Sequence, residues 1–409
     1  MKISRKKPAA LAAAGALAVL AALSSPASAS LSTSTTATAA AKGASPQGRP
    51  VCAADDAKTD CMLRVKPSKP RSAKASVKDA PPGGLTAADL QDAYKLPSDL
   101  LGGGSTIAVV VPFGNTSAEK DLAIYRAASG MHACDDEFPC FRRINQQGGT
   151  TPPPASLNWT LHAAVGLDMA SAACPNCRLL LVEADDDTLA NQGTAVDQAV
   201  AQGARTVVVM NGWFPEYEGQ DAQAAHFDHK GVAIVAASGN SYFNGGGREA
   251  LPAAYPSVVA VGGTNLYRDP SAKRGWAETA WRSTTSGCSL YEKRPAWQRK
   301  GDCGDRRTVA DVAAVAADYT PVAAYDSANS GWVQVSGAPV ASALIAGVYG
   351  LAGNTSSTPA PRRLYSSARY LFDLTSGANG SCAGSYLCTA GRGYDGPSGM
   401  GAPNGTGAF

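Results

Sequence analysis

The sequence predicts an α/β fold in three layers, with a mostly parallel central sheet that is flanked by helices. Several short runs, among them STIAVVVPF and RLLLVEA, are apolar almost throughout. Strands buried on both faces have this composition, whereas a sheet with one wet face alternates apolar and polar residues. Helical segments separate these runs, and strand–helix alternation is typical of parallel sheets. The roughly 320 residues beyond the polar N-terminal region are enough for one large α/β domain.

The predicted elements follow one another in a regular order. GLTAADLQDAYKLP contains Thr86 and, three residues later, Asp89, which is the pattern of a capping box at the start of a short helix. STIAVVVPF then predicts a strand, and SAEKDLAIYRAAS predicts a helix. The pairs LNWTLHAAVGLDMASAA–RLLLVEA and DQAVAQGA–RTVVVMN each predict a helix followed by a strand. GVAIVAAS and SVVAVGG predict two further strands of the same sheet.

The N-terminal region divides into two parts. Residues 1–29 begin with basic residues, continue with the apolar run ALAAAGALAVLAAL and end in small residues. This is the pattern of a secretory signal peptide, and its apolar core is too short to span a bilayer. Residues 30–83 are rich in Ser, Thr, Ala, Pro and Lys and predict an extended lead-in that contains a Cys52–Cys61 loop. The folded domain is expected to cover residues 84–409.

Charge and cysteine content indicate an exported protein. The chain carries a formal charge of +3, and removal of residues 1–29 takes away four basic residues, which leaves it near −1. This balance does not support binding to nucleic acid or to an anionic membrane. No later segment is long and apolar enough to span a bilayer, so we expect a secreted, extracellular monomer.

The ten cysteines predict five local disulfides, because an even number in close pairs is typical of exported chains. The CPNC sequence at 174–177 has no second CxxC and no histidine pair near it that would complete a zinc site. The predicted pairs are Cys52–Cys61, Cys134–Cys140, Cys174–Cys177, Cys288–Cys303 and Cys382–Cys388.

Seven segments, taken in order, resemble the sedolisin family of serine-carboxyl peptidases, which share the subtilisin fold. The resemblance covers nearly all of the chain beyond the signal peptide, and the combination of segments is far more specific than any one of them. It implies a subtilisin-like arrangement of the predicted sheet and helices. The segments are GLTAADLQDAYKLP, LDMASAACPNCRLLLVEA, GVAIVAASGNS, YPSVVAVGGT, ADVAAVAADYTPVAAYDS, VSGAPVASALIAGVYGLAG and GYDGPSGMGAPNG.

The resemblance also implies where catalytic residues would lie, and each of these positions is changed. The family has a Glu and an Asp four residues apart on one helix, and these positions fall on His162 and Gly166. The Asp that stabilises the oxyanion falls on Asn240, and the serine nucleophile falls on Pro339. Gly166 has no group to transfer a proton, and Pro339 has neither a hydroxyl nor a backbone N–H. Asn240 keeps an amide donor, and proline suits the first turn of a helix.

Alternative catalytic residues give no complete set. Subtilisins place a histidine base where His162 lies and an Asn donor where Asn240 lies, so the pair resembles half of a subtilisin site. The other interpretation, which we favour, is that His162 is a tolerated helix residue. Ser336 precedes the turn and Ser342 lies one turn into the helix, and catalysis is sensitive to displacements of about 1 Å. Asp168, the next carboxylate, lies about 200° around the helix from Gly166.

Two further positions depart from the related peptidases. Val111 stands where subtilisins carry their catalytic Asp. Phe214 and Pro215, in GWFPEYE, stand where the cleft of a subtilisin-like enzyme has small residues. They either narrow the cleft or belong to a variable surface loop, and the sequence leaves both open.

The resemblance implies one calcium ion near the C-terminus, held by two carboxylates and three backbone carbonyls. The matching positions are Asp373 and Leu374 in FDLTSG, with Gly391, Gly393 and Asp395 in GRGYD. Hard oxygen ligands from glycine-rich turns suit calcium. The alternative is a plain turn with two surface aspartates.

Three functions follow from these expectations. The first is a secreted homologue of a serine-type peptidase that has lost catalysis and binds a peptide or protein in the remnant cleft. The second is an active secreted endopeptidase with a non-standard nucleophile. The third is a structural extracellular protein. Pro339 separates the first two, because a residue without a hydroxyl forms no acyl-enzyme.

Overall fold

A computed structural model describes residues 49–51, 61–66, 83–210, 214–243, 249–299, 301–353 and 358–409. The predicted signal peptide, most of the predicted lead-in and Cys52 lie outside these residues. Among the described residues, no helix has the length and apolar character that crossing a membrane requires.

The strands are, in chain order, β1 (Arg49–Pro50), β2 (Arg64–Lys66), β3 (Thr106–Pro112), β4 (Phe141–Asn145), β5 (Arg178–Ala184), β6 (Thr206–Val209), β7 (Phe214–Pro215), β8 (Ala233–Ala237), β9 (Ala250–Leu251), β10 (Val259–Arg268), β11 (Trp276–Ala280), β12 (Gly287–Lys293), β13 (Arg306–Val309), β14 (Val312–Val315), β15 (Val322–Asp326), β16 (Gly331–Ser336), β17 (Leu371–Phe372) and β18 (Ala402–Pro403). The α-helices are α1 (Ala87–Ala93), α2 (Ala118–Ala128), α3 (Leu157–Ala173), α4 (Leu189–Ala201), α5 (Asp221–Ala224), α6 (Ala338–Ala352) and α7 (Ala360–Ser366).

The central sheet has eight strands in the order β11-β10-β8-β6-β3-β5-β4, with β14 also paired to β10. All neighbours are parallel except β10 and β11. The chain therefore enters the sheet at its centre, through β3, and extends it in both directions. In such sheets ligands bind beyond the carboxyl ends of the central strands.

Helices cover both faces of the sheet. α3 and α6 pack against one face and against each other, and α4 packs against the other face. Both α3 and α6 are apolar on nearly all sides, because each lies between the sheet and further elements. The predicted three-layer α/β fold is confirmed.

Local predictions agree with the structure. Thr86 and Asp89 form the predicted capping box at the start of α1. Four of the predicted disulfides are present, and Cys61 is also disulfide-bonded, while its predicted partner Cys52 lies outside the described residues.

The domain begins earlier than the sequence indicated. Residues 61–66 were assigned to the lead-in before residue 84, but β2 pairs with β16 and adds a strand to the β15–β16 hairpin. Leu63 and Val65 are buried in the main core. The assignment failed because the basic residues around this short apolar stretch resemble a linker, and its pairing partner lies more than 260 residues away in the sequence.

Candidate active site

The first turn of α6 is where the family resemblance places a nucleophile. The helix begins at Ala338 after Gly337, whose φ of +118° strains any residue with a side chain. Pro339 lies in the first turn of the helix and is buried. A proline is compatible with the helix there, because the backbone N–H groups of the first turn make no hydrogen bond within the helix. It supplies no nucleophile.

The two nearby serines are both hydrogen-bonded within the protein. Ser342 donates its hydroxyl to the carbonyl oxygen of Pro339 at 3.1 Å. Ser336 is buried and donates to Oδ1 of Asp318 at 2.5 Å. Among the described residues, Ser342 therefore pairs with a carbonyl group, which is not a base, whereas Ser336 donates its hydrogen bond to a carboxylate.

Asn240 connects the end of β8 to the start of α6. Its Oδ1 accepts a hydrogen bond from the backbone N–H of Ala338 at 2.9 Å. Its Nδ2 donates to the backbone carbonyl oxygen of Met62 at 2.5 Å. The amide that would stabilise an oxyanion in an enzyme is thus already bonded to a carbonyl of this chain.

Residues 61–66, which we call the inserted segment, lie across the start of α6. β2 runs antiparallel to β16, with Val65 opposite Val335. The Met62 side chain is buried against Ala237 and Ala338. Its carbonyl oxygen would lie 2.1 Å from a β-carbon at residue 337, so the glycine in this turn is required by the approach of the segment.

His162 lies in the second turn of α3 and is fully buried. Its Nδ1 is 3.3 Å from the carbonyl oxygen of Asn158, and its ring centroid is 4.6 Å from that of Trp159. Nδ1 therefore carries the proton, because a carbonyl oxygen only accepts. Nε2 is buried without a hydrogen-bond partner in the described part of the chain. Burial lowers the pKa of His162 from 6.5 to about 4, so the ring is neutral at physiological pH.

Gly166 faces the sheet. A β-carbon at this position would lie 2.5 Å from Cγ1 of Val109 and 3.1 Å from Cγ of Met210. The space that a carboxylate would need at the family position is filled by these two side chains. A residue with a side chain at position 166 would therefore need Val109 or Met210 to move.

Asp168 points to another set of partners. Its Oδ2 accepts a hydrogen bond from the backbone N–H of Tyr325 at 2.9 Å. Burial raises its pKa well above the usual range, and the charges of Asp121 and Asp326 add to this effect. Asp168 therefore belongs to a buried acidic group beneath β15 and is separate from Gly166, as the helix geometry predicts.

The structure brings Asn240 and the start of α6 into direct contact, and it places α3 alongside. A β-carbon at Gly347 would meet Ala173, and one at Gly350 would meet Cys177. α3 and α6 therefore run side by side in the same direction, with His162 near the beginning of one helix and Pro339 near the beginning of the other.

Phe214 and Val111 are structural. β7 pairs with β9, Phe214 opposite Leu251, and the Phe214 ring packs against the core on the α4 side of the sheet. Val111 is buried in the core on the α3 side. Phe214 therefore contributes to packing, and the suggestion that it narrows the cleft is not supported.

The candidate calcium loop brings its two carboxylates together. The N–H of Gly393 donates to Asp373, with 3.1 Å to each carboxylate oxygen, and the N–H of Gly391 donates to Asp395 at 2.9 Å. Burial raises the pKa of Asp395 to about 6, and the charge of Asp373 contributes in the same direction. Leu374 follows Asp373 directly and is buried.

The residues present fit a hard cation. Asp395 is fully buried, and neither carboxylate forms an ion pair with a described basic side chain. Two neighbouring carboxylates without a countercharge repel each other, and a divalent cation would remove both the repulsion and the cost of burial.

Sequence reasoning missed Met62. Its side chain packs against Ala338, and its carbonyl oxygen approaches Gly337 and accepts from Asn240. A weak signal was present, since CMLRV places apolar residues on both sides of a short strand next to a cysteine. No local pattern identifies the partner of such a strand.

Comparison with known proteins gives consistent results. A profile of the subtilase family matches residues 162–364. Kumamolisin of Bacillus sp. (strain MN-32) is 28% identical over 366 residues, which are 81% of this chain and 64% of that protein. Sedolisin of Pseudomonas sp. (strain 101) is 26% identical over 374 residues, which are 81% of this chain and 62% of that protein. The chain therefore matches a little under two thirds of the length of these relatives.

A solved structure of Pseudomonas sedolisin, complexed with two molecules of pseudo-iodotyrostatin, has a similar fold. The TM-score is 0.66 with 21% sequence identity, and the match covers 78% of this chain and 95% of that one. At this identity the similarity establishes the fold, which is that of the sedolisins.

The buried neutral His162 predicts a specific loss of stability in acid. Its pKa is lower in the folded state than in the unfolded state, so between pH 6.5 and 4 the unfolded chain binds the proton that the folded chain excludes. The contribution is complete above pH 6.5 and is lost as the pH falls to 4, a difference of about 3 kcal/mol in the free energy of unfolding. Urea unfolding of the native chain and of His162→Gln at pH 7 and pH 4 measures it. Equal losses for both proteins would contradict a buried neutral histidine.

Proposed function

We propose that this chain, which belongs to the sedolisin group of the subtilase family, is a secreted and catalytically silent member that binds an extended peptide strand beside β16. The observation that carries the proposal is the double hydrogen bond of Asn240, to the start of α6 and to the Met62 carbonyl. The remnant of the oxyanion site holds a peptide carbonyl in place of a reaction intermediate.

Loss of catalysis follows from the chemistry of the family positions. Pro339 cannot attack a carbonyl, and Gly166 cannot accept a proton. His162 is a neutral ring whose Nε2 lone pair has no described donor. Members of a catalytic group act as a unit, so the loss of one removes most of the rate and further losses add little.

Strand binding is supported by the inserted segment itself. β2 adds to the edge of the β15–β16 hairpin through backbone pairing, which is the mode by which many proteins recognise extended peptides. Alternate side chains give specificity in this mode, and here Met62 enters a small site formed with Ala237 and Ala338. The inserted segment is thus an intramolecular ligand of the remnant cleft.

Secretion is supported by two features. The N-terminal sequence has the organisation of a signal peptide, and the described domain contains disulfides, which persist in oxidising compartments. We expect the exported chain to be a monomer whose ligand is a peptide or protein.

A second function is favoured by one hydrogen bond. Ser336 donates to the carboxylate of Asp318, and a serine paired with a carboxylate could act as a nucleophile in an active endopeptidase. Against this, Ser336 is buried and lies opposite Arg64 in the pairing of β16 with β2. The inserted segment would have to leave before a substrate could reach the hydroxyl.

We also propose that Asp373 and Asp395, with the carbonyl groups of Leu374, Gly391 and Gly393, hold one calcium ion. The two close carboxylates and the raised pKa of Asp395 support this. The ion would supply a positive charge at the two carboxylates, which form no ion pair with a described basic side chain, and would fix the C-terminal segment.

The first test is proteolysis. The purified mature chain should not cleave casein at any pH from 3 to 9, because nucleophile and acid partner are both replaced. A sedolisin assayed in parallel shows that the conditions permit cleavage. Turnover that disappears in Ser336→Ala and persists in Ser342→Ala would overturn the proposal in favour of the second function.

The second test concerns the inserted segment. A site for a sequence-specific protease, placed between residues 67 and 82, allows the segment to be cut from the domain. We expect the cut segment to remain bound in gel filtration and to be displaced by excess synthetic peptide of residues 61–66 with Cys61→Ser. Asn240→Ala should speed its release about fivefold, since one hydrogen bond contributes roughly 1 kcal/mol.

A peptide with Val65→Pro serves as the matched control, because proline cannot donate to the strand pairing. It should displace the segment poorly. Immediate dissociation of the cut segment from the unmodified domain, or equal displacement by both peptides, would argue against a strand-binding site.

The third test concerns calcium. Chelation should lower the melting temperature, because an ion that binds only the folded state stabilises it, by about 2.7 kcal/mol at a hundredfold excess over the dissociation constant. Asp395→Ala should abolish the response to chelator. Asp305→Ala, whose side chain is 92% exposed, is the control and should respond as the native chain does. No shift in the native chain would contradict the site.

A further inference from the structure

A cavity of about 150 Å³ lies apart from the start of α6 and shares no residue with the catalytic positions of the family. Its walls are formed by the loop between β12 and β13, by β13, by α7 and by the C-terminal segment from Gly393 to Met400. The lining includes Trp297, Gln298, Arg299, Thr308, Tyr365 and Tyr394.

The cavity is built mainly of aromatic rings that are held in place. Tyr365 and Tyr394 stack with their centroids 5.7 Å apart. The Tyr365 hydroxyl donates to Oδ1 of Asp311 at 2.9 Å, and the Tyr394 hydroxyl donates to the carbonyl oxygen of Ala310 at 3.0 Å. Since both hydroxyls are bonded to the protein, the two residues offer ring surface to an occupant.

The amide of Gln298 is also satisfied. Its Oε1 accepts from the N–H of Thr308 at 3.0 Å, and its Nε2 donates to the Thr308 carbonyl at 2.7 Å and to the Tyr365 hydroxyl at 2.8 Å. The wall is therefore rigid, and its side-chain amide is not available to a ligand.

Trp297 differs from these residues. Its Nε1 is buried and has no hydrogen-bond partner among the described residues. None of the other described residues that line the cavity has a buried side-chain nitrogen or oxygen without a partner. A buried donor without an acceptor is unfavourable by roughly 1–3 kcal/mol. A ligand oxygen in the cavity would satisfy this donor.

The charge of the side chains that line the cavity indicates the charge of the ligand. Aromatic rings on several sides are also found where proteins bind quaternary ammonium groups. Here, however, the lining has the exposed cation of Arg299 and contains no carboxylate. A donor N–H and a guanidinium group together favour an acceptor or an anion over a cation.

We propose that this cavity binds a small aromatic carboxylate. Its volume is close to that of cavities that take one benzene ring. The ring would lie against the aromatic walls, and the carboxylate would accept a hydrogen bond from Nε1 of Trp297 and pair with Arg299. The proposal does not depend on peptide binding at β16.

Nuclear magnetic resonance of the full mature chain with excess calcium tests the proposal. The indole N–H signal of Trp297 is assigned by its absence in Trp297→Phe. We expect benzoate to shift this signal with a dissociation constant on the order of 10⁻⁴ M, as ligand efficiencies for very small ligands allow. Toluene, which has the ring without the acceptor, should bind without the same shift.

Two variants measure the polar contacts by 19F line broadening of 4-fluorobenzoate. Trp297→Phe keeps an aromatic wall, removes the donor and should weaken binding about tenfold, as expected for a hydrogen bond to a charged group. Arg299→Gln should weaken it severalfold. Arg178→Gln removes an equal charge from an exposed position outside the cavity and should leave binding unchanged.

Three outcomes would overturn the proposal. An indole signal that does not move at tens of millimolar benzoate indicates a cavity filled by water. Equal binding of toluene and benzoate indicates an apolar cavity in which the donor has no role. A response to tetramethylammonium in place of benzoate indicates a cation site. If Trp297→Phe does not fold, the proposal is still tested by the affinity of Arg299→Gln for 4-fluorobenzoate and by the response of the native indole signal to benzoate.

Discussion

α3 and α6 approach so closely that a β-carbon at Gly347 would lie 2.6 Å from that of Ala173. Helices meet at this distance only where one of them lacks a side chain, and neither helix can move without disturbing the sheet that both cover. The starts of both helices are therefore fixed relative to the carboxyl ends of the central strands. The arrangement therefore holds His162 and Pro339, near the beginnings of the two helices, in fixed positions.

The residues at the positions that the family resemblance singles out each fit the fold for a physical reason. Pro339 suits the first turn of a helix. Gly166 is backed by Val109 and Met210, which fill the volume of a side chain. His162 is accepted because burial keeps it neutral and Trp159 covers its ring. The packing around these three positions is therefore complete without the side chains that the family resemblance implies there.

The sequence alone predicts correctly the elements whose patterns lie within a few neighbouring residues. The apolar runs of β3 and β5, the capping box at Thr86 and the closely spaced cysteine pairs all depend on neighbours in the chain. The inserted segment was not found, because β2 is three residues long and its register is set by β16. The packing of Phe214 was left open for the same reason, since its partner Leu251 is distant in the sequence.

The aromatic cavity could not be predicted from the sequence either, because it is formed by residues that are distant in the chain. Trp297 and Tyr394 are separated by nearly a hundred residues, and their hydrogen-bond partners decide which polar atoms remain available. No pattern of residue types along the chain indicates that one indole N–H is left without an acceptor. Such a property belongs to the folded arrangement.

Under the proposed strand binding, the covalent connection of the inserted segment to the domain sets the conditions under which any other peptide can occupy β16. Sixteen residues, 67–82, separate β2 from residue 83, where the described chain resumes. Because the segment is covalently joined to the domain, its pairing with β16 is intramolecular and corresponds to an effective concentration that a free ligand has to match. A free peptide with the same intrinsic affinity would therefore have to reach a similar concentration to compete. One cut in the connection would remove this advantage and turn a closed site into one that responds to dilute ligands.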